Sequence, residues 1–216
     1  MKFIKPLQIQ AYESLKDMIL SGSLEHRKIY SETKVSQTMG ISRTPLRDAI
    51  QRLSQEGYVD VIPSKGFRLH ELNERDLLET YQIRCALEGF CVVQLARDHG
   101  RERTERTLET LEELLQEQKR VIDTSRSIED FARYDQQFHK TIVYSLENTV
   151  ISDTFDSYHY QMSRQTHISL RREGRLEETL EEHRRILENI KRGSVSGSYA
   201  AALAHLEKPK DIIHLD

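Results

Sequence analysis

Cysteine is scarce in this 216-residue chain, where only Cys85 and Cys91 occur. They fall six positions apart within one helical pattern, so their side chains diverge and cannot reach disulfide geometry. A disulfide scaffold is thereby excluded. Proline is rare at 4 residues, and charged residues make up 31% against 37% hydrophobic ones, a balance that fits a folded, mostly helical protein rather than a disordered one. No hydrophobic run approaches the length of a membrane span, so no membrane partner is expected. The start, Met1 to Pro6, has neither an apolar export core nor a cleavage signal. The expected compartment is the cytoplasm, in keeping with reduced thiols.

The chain also lacks an overall positive charge, which at first speaks against a nucleic-acid partner: the net charge is -3. That average conceals a split. Through Leu72 there are 11 Lys and Arg against 8 Asp and Glu, whereas the remainder carries 21 against 27. A basic head on an acidic body suits a small domain that meets a polyanion and a larger one that meets something else.

Periodicity divides the chain at the same place. Leu7, Ala11, Leu15 and Met18/Ile19 repeat at helical spacing ahead of Gly22. Ser31 is placed to cap a short second helix ended by Gly40, and Ser42 a third with Pro45 in its first turn and Leu46, Ile50 and Leu53 as its core stripe. Val59 to Ile62 and Phe67 to Leu69 read as a hairpin around Pro63-Ser64-Lys65-Gly66. From Asn73 onward the pattern is purely helical, and six to seven helices are expected. One ends at Asn148, one runs unbroken from Val150 to Leu170, and a last short one spans Tyr199 to Leu206 after a loop of Gly193, Ser194, Ser196 and Gly197. The fold class is mainly α: a winged helix-turn-helix over residues 1–72 and an all-helical bundle over 73–216.

Two short helices joined by a Gly-containing turn over Tyr30 to Arg47 have helix-turn-helix spacing, in which the second helix enters the major groove. Its first turn exposes Ser42, Arg43 and Thr44, with Arg47 one turn on. Arginine can fork onto guanine O6 and N7, and hydroxyls with helix-start amides suit phosphates. Lys65 and Gly66 at the hairpin tip can approach the DNA backbone or the minor groove. The bland alternative is a helical hairpin with solvated arginines, which the adjoining hairpin makes the weaker of the two. The run Gly40-Ile41-Ser42-Arg43-Thr44-Pro45-Leu46-Arg47-Asp48-Ala49-Ile50, followed by Leu53, Glu56-Gly57 and Gly66, resembles the winged-helix signature of GntR-family transcriptional regulators. The resemblance implies DNA contacts from Ser31, Arg43, Thr44, Arg47, Lys65 and Gly66. Thr33 departs from it, since many relatives have a long basic residue there. The layout of the bundle resembles the FadR-like branch, whose effector-binding domain is called FCD.

In the bundle, Asp135 and His139 lie four apart on one helix face that they share with Phe131, Phe138 and Ile142, so the face points inward. His183 sits at inward spacing with Leu176, Leu180, Leu187 and Ile190, and His205 between Leu203 and Leu206. Three imidazoles and a carboxylate suit zinc, nickel or a similar divalent ion. By spacing alone, hydrogen-bonded core histidines explain the pattern better than a metal does. Asp135 to His139, Glu182 to Ile186 and the terminal Ala-rich helix with His205 resemble, in order and spacing, the FCD subgroup that binds a divalent metal. His159 and His167 match no motif and read as pocket lining or surface.

Arg84 and Glu88 interrupt an inward stripe one turn apart, and are read either as an internal ion pair or as an arginine that forks onto an effector carboxylate. Arg164 is a second candidate for that carboxylate. The function expected is a transcription regulator, a repressor acting as a homodimer on a palindromic operator under control of a small organic acid bound beside the metal. The alternatives are a regulator that answers to metal alone and a helical metallohydrolase. The latter lacks a His-Glu-x-x-His run, a phosphate loop and a nucleophile elbow.

Overall fold

A computed structural model of the protein describes residues 5–25 and 27–213. Residues 1–4, on which most of the export reading rests, lie outside the described residues. The chain divides into two compact units, Met1–Glu71 and Leu72–Asp216.

The first unit holds α1 (Leu7–Leu20), α2 (Glu32–Thr38), α3 (Arg43–Gln55), β1 (Val59–Ile62) and β2 (Gly66–Leu69). Its core is the apolar stripe of α3, Leu46, Ala49, Ile50 and Leu53, buried against Ala11, Tyr12, Leu15 and Ile19 of α1. Each large aliphatic side chain buried this way contributes about 1.5–3 kcal/mol. The far end of α3 is pinned as well. The Tyr12 hydroxyl donates to Glu56 at 2.6 Å, and the Arg52 guanidinium lies 4.0 Å over the Tyr12 ring. Held along one side and at its C-terminal end, α3 leaves Ser42, Arg43, Thr44 and Arg47 exposed. Ser31 and Ser42 take the extended N-cap conformation that their positions predict, yet neither hydroxyl makes a capping hydrogen bond.

The two strands pair antiparallel, with Val59 opposite Leu69 and Ile62 opposite Gly66. Tyr30 adds a short third rung: its N–H donates to Phe67 O at 2.7 Å and its carbonyl accepts from Phe67 N at 3.0 Å. Gly66 is required at this point. Its φ is +130°, and a Cβ there would lie 2.0 Å from the Tyr30 carbonyl oxygen.

The second unit consists of α4 (Glu74–Arg97), α5 (Glu102–Asp123), α6 (Ile128–Tyr144), α7 (Thr149–Ser157), α8 (His159–Leu170), α9 (Arg175–Lys191) and α10 (Val195–Ile212). Asn73 and Asp76 form the capping box that opens α4, and the Ser127 hydroxyl accepts from Asp130 N to open α6. Leu111, Phe138, Ile142 and Ile190, all at most 1% exposed, anchor a core shared by α5, α6 and α9. Glycine lets α10 come close to α4, because a Cβ on Gly89 would stand 2.9 Å from the Tyr199 ring. None of the described helices is long and apolar enough to cross a membrane.

Three boundaries differ from the sequence reading. Helix α6 stops at Tyr144, and Asn148 does not end it but opens α7, its side chain accepting from Val150 N and Ile151 N. The expected single helix over Val150 to Leu170 breaks at Tyr158 into α7 and α8. The last helix is longer than expected and starts at Val195, inside the supposed loop, because Ser198 is buried and α10 packs along α4 and α9.

Candidate metal centre and DNA-reading surface

In the helical unit, α6 supplies Asp135 and His139, α9 supplies His183 and α10 supplies His205. All four are buried, and one ligand atom from each lies within 4.8 Å of the others. His205 Nε2 is 3.1 Å from His139 Nε2 and 3.3 Å from His183 Nε2. Asp135 Oδ1 is 3.5 Å from His183 Nε2 and 3.9 Å from His139 Nε2. Such separations suit one ion bonded to each donor at about 2.0–2.2 Å.

The opposite ring nitrogens explain why these atoms point at one another. His139 Nδ1 is 2.6 Å from Glu88 Oε2, His205 Nδ1 is 2.8 Å from Glu182 Oε2, and His183 Nδ1 is 3.0 Å from Gln118 Oε1. Carboxylate and amide oxygens only accept, so each Nδ1 carries a proton, and in the neutral ring Nε2 then presents a lone pair. With all three rings neutral, three lone pairs and a carboxylate converge. Four acceptors packed so closely fit a cation far better than they fit one another.

Electrostatics favours the neutral ring at His183 and His205 and the ionised carboxylate at Glu88 and Glu182. For Glu88, burial favours the neutral acid, but the charge of Arg84 and the hydrogen bonds from His139 and Arg84 outweigh it and hold the carboxyl at about 2. Glu182 is likewise brought to about 2, burial being overcome by hydrogen bonds from His205 and Arg175. Burial pushes His183 well below the ordinary imidazole range. It lowers His205 too, against the hydrogen bond to Glu182. Neutral imidazoles are the form that binds metal.

The carboxylates are themselves anchored. Arg84 Nε donates to Glu88 at 2.6 Å, and Arg175 is bidentate to Glu182 at 2.7 Å and 2.7 Å. The internal ion pair weighed for Arg84 and Glu88 is therefore present. Sequence reasoning missed Gln118, Arg175 and the service of Glu88 and Glu182 to the histidines. One signal was available: Gln118 stands where the inward stripe of α5, Leu108, Leu111 and Leu115, calls for another apolar residue. Arg164 lies 5.5 Å over the Tyr160 ring on α8, His159 is exposed, and His167 Nδ1 lies 2.8 Å from Ser163 O of its own helix.

In the first unit, Ser31, Thr33, Arg43, Arg47, Lys65 and Gly66 line one shallow pocket of about 130 Å³ together with Glu32 and Ser64. Ser42 and Thr44 flank it on the exposed start of α3. Glu32, which the sequence reading did not single out, accepts from Arg47 Nε at 2.6 Å and lies 3.8 Å from Arg43 Nη2.

Family models match the chain twice: the gntR family of bacterial regulatory proteins over residues 7–69, and the FCD domain over residues 79–208. The chain belongs to the GntR family. It is a DNA-binding transcriptional regulator with an FCD domain, and its family comprises regulators rather than enzymes, which removes the metallohydrolase alternative. The uncharacterized HTH-type regulator YdhC of Bacillus subtilis is 29% identical over 93% of this chain and 88% of its own. The gluconate operon transcriptional repressor of Bacillus licheniformis is 29% identical over 81% of this GntR chain and 69% of its own. Among solved structures, the metal-free FCD domain of TM0439 matches 66% of this chain and 94% of its own, with TM-score 0.54 and 21% identity.

Proposed function

We propose that this regulator is a repressor whose FCD domain holds a divalent ion, zinc or nickel, on Asp135, His139, His183 and His205, and senses a small carboxylate beside it. One observation carries the metal reading: every histidine of the cluster has its Nδ1 tied to an acceptor, so all three Nε2 lone pairs face Asp135 with no donor among them. Four protein ligands leave room on an ion of higher coordination number for water or a carboxylate. Arg84 supports the effector reading, because it lies next to Glu88 and its two Nη groups make no hydrogen bond among the described residues. Arg164 on α8 is the second candidate. Repression is supported by the likeness to a gluconate operon repressor.

On the operator, Arg43 and Arg47 read base edges, while Ser31, Ser42, Thr44, Lys65 and the backbone at Gly66 meet phosphates. A single head makes few such contacts, so a homodimer on a palindrome is the working form. Large apolar side chains left exposed in one copy, Phe90 at 48%, Tyr199 at 44% and Val150 at 73%, are available for the contact between copies.

A regulator that answers to metal alone is favoured by one observation: Arg84 Nε is already engaged by Glu88. Operator affinity decides between the two. A duplex selected from a random pool is titrated with the protein in chelator, with zinc or nickel, and with metal plus a panel of small carboxylic acids. The effector reading expects an acid to change affinity only when metal is present. A change with metal alone, and none on adding any acid, supports the metal-only reading.

A further inference from the structure

Gln118 is fully buried on α5, at 0% exposure, in line with the apolar Leu108, Leu111, Leu115 and Val121. Its amide is used by halves. Oε1 accepts from His183 Nδ1 at 3.0 Å, while Nε2 is buried without a hydrogen-bond partner among the described residues. A buried donor left unpaired is costly, and a leucine or methionine would fill the same space without that cost. The one thing the amide accomplishes is to face His183.

That contact matters because it is the hydrogen bond made by Nδ1, while Nε2 faces the other members of the cluster, His205 Nε2 at 3.3 Å and Asp135 Oδ1 at 3.5 Å. Phe138 stacks on His183 with centroids 4.2 Å apart, which fixes the plane of the imidazole. Stacking is indifferent to a flip of the ring or to its tautomer. An acceptor at Nδ1 is not, since it places the proton there and leaves the Nε2 lone pair toward Asp135, His139 and His205.

The choice of amide over carboxylate follows from charge. Glu88 and Glu182 each have an arginine to balance them, Arg84 and Arg175. No hydrogen bond or ion pair brings an arginine or lysine to Gln118 among the described residues. A neutral acceptor orients the ring there without adding an uncompensated buried charge.

We propose that Gln118 is a positioning residue for the metal centre, setting the tautomer and orientation of His183 through its amide oxygen. The inference rests on the metal reading above and adds a residue outside the ligand set.

The test uses the full-length chain with zinc in competition against a chromophoric chelator, and cobalt(II) as a spectroscopic probe. Gln118→Met keeps the volume and removes the acceptor; Gln118→Glu restores an acceptor that cannot donate. Circular dichroism and thermal melts of the metal-free proteins establish that both variants fold. Gln118→Met is expected to lose about 10–100-fold in zinc affinity, the usual effect of removing a histidine's outer partner, and to shift the cobalt ligand-field bands. Gln118→Glu is expected to bind more tightly than Gln118→Met by about that same factor and to keep the wild-type bands. If the folded wild type takes up no metal, the metal reading itself falls and this inference with it. If the wild type binds while Gln118→Met binds equally well with the same spectrum, only the role of Gln118 is overturned. Equal losses in both variants also overturn it, since an acceptor would then not be what the site needs.

Discussion

Glu32 sets the terms on which the two arginines of the reading surface are presented. Its carboxylate accepts from Arg47 at 2.6 Å and lies 3.8 Å from Arg43, so both side chains are held near one position while remaining more than half exposed. Arg47→Ala should therefore cost about 1–3 kcal/mol for each base that the side chain reads on a selected operator, while leaving the melt unchanged. Fluorescence anisotropy at fixed salt measures this, and full affinity in both Arg43→Ala and Arg47→Ala would contradict the assignment. Glu32→Gln should act in the opposite sense on non-specific DNA, binding a random duplex more tightly and narrowing the ratio of operator to random affinity. An unchanged ratio would show that the pair does not set register. The exposed position of the arginines was legible in the sequence, because both fall off the apolar stripe at the start of α3. The contacts of Glu32 with the arginines and of Glu88 and Glu182 with the histidines were not legible, because what each touches depends on which helix lies opposite. Periodicity gives the inward face of α5 but not that Gln118 on it meets His183 from α9.

At the level of elements, the wing depends on a glycine for a backbone reason. Gly66 sits at φ +130° with the Tyr30 carbonyl where a Cβ would be. Gly66→Ala should destabilise the first unit by about 1–3 kcal/mol from backbone strain alone, with the clash in addition. The check is a thermal or urea melt alongside operator affinity, and a variant as stable as wild type with normal binding would show that the wing tolerates the side chain. Where helices begin and end was legible when the signal was local: Gly22, the Asn73 capping box and the Ser127 cap all mark real boundaries. The break at Tyr158 escaped because no Pro or Gly lies there to mark it, and the start of α10 because Ser194 to Gly197 reads as a loop until its packing on α4 and α9 is known.

For the molecule as a whole, charge is divided as the two units are, with Met1–Glu71 basic and the remainder acidic. Operator binding should weaken steeply with added salt in spite of the net charge of -3, since only the basic unit meets phosphates. A flat affinity over a salt series would contradict that. The proposed metal centre belongs to the same scale, because an ion on Asp135, His139, His183 and His205 would tie α6, α9 and α10 together. A native-state ligand stabilises in proportion to the logarithm of its excess over the dissociation constant, about 2.7 kcal/mol at a hundredfold excess. The decisive measurement is the divalent metal content and thermal melt of the wild type and His183→Ala, each with and without a strong chelator. The wild type should carry zinc or nickel, or take it up on titration, and melt lower once stripped. His183→Ala should hold little metal and melt at the same temperature either way, yet still bind DNA. A wild type that takes up no metal and melts identically in chelator would mean that the three histidines and Asp135 form a hydrogen-bonded core and nothing more.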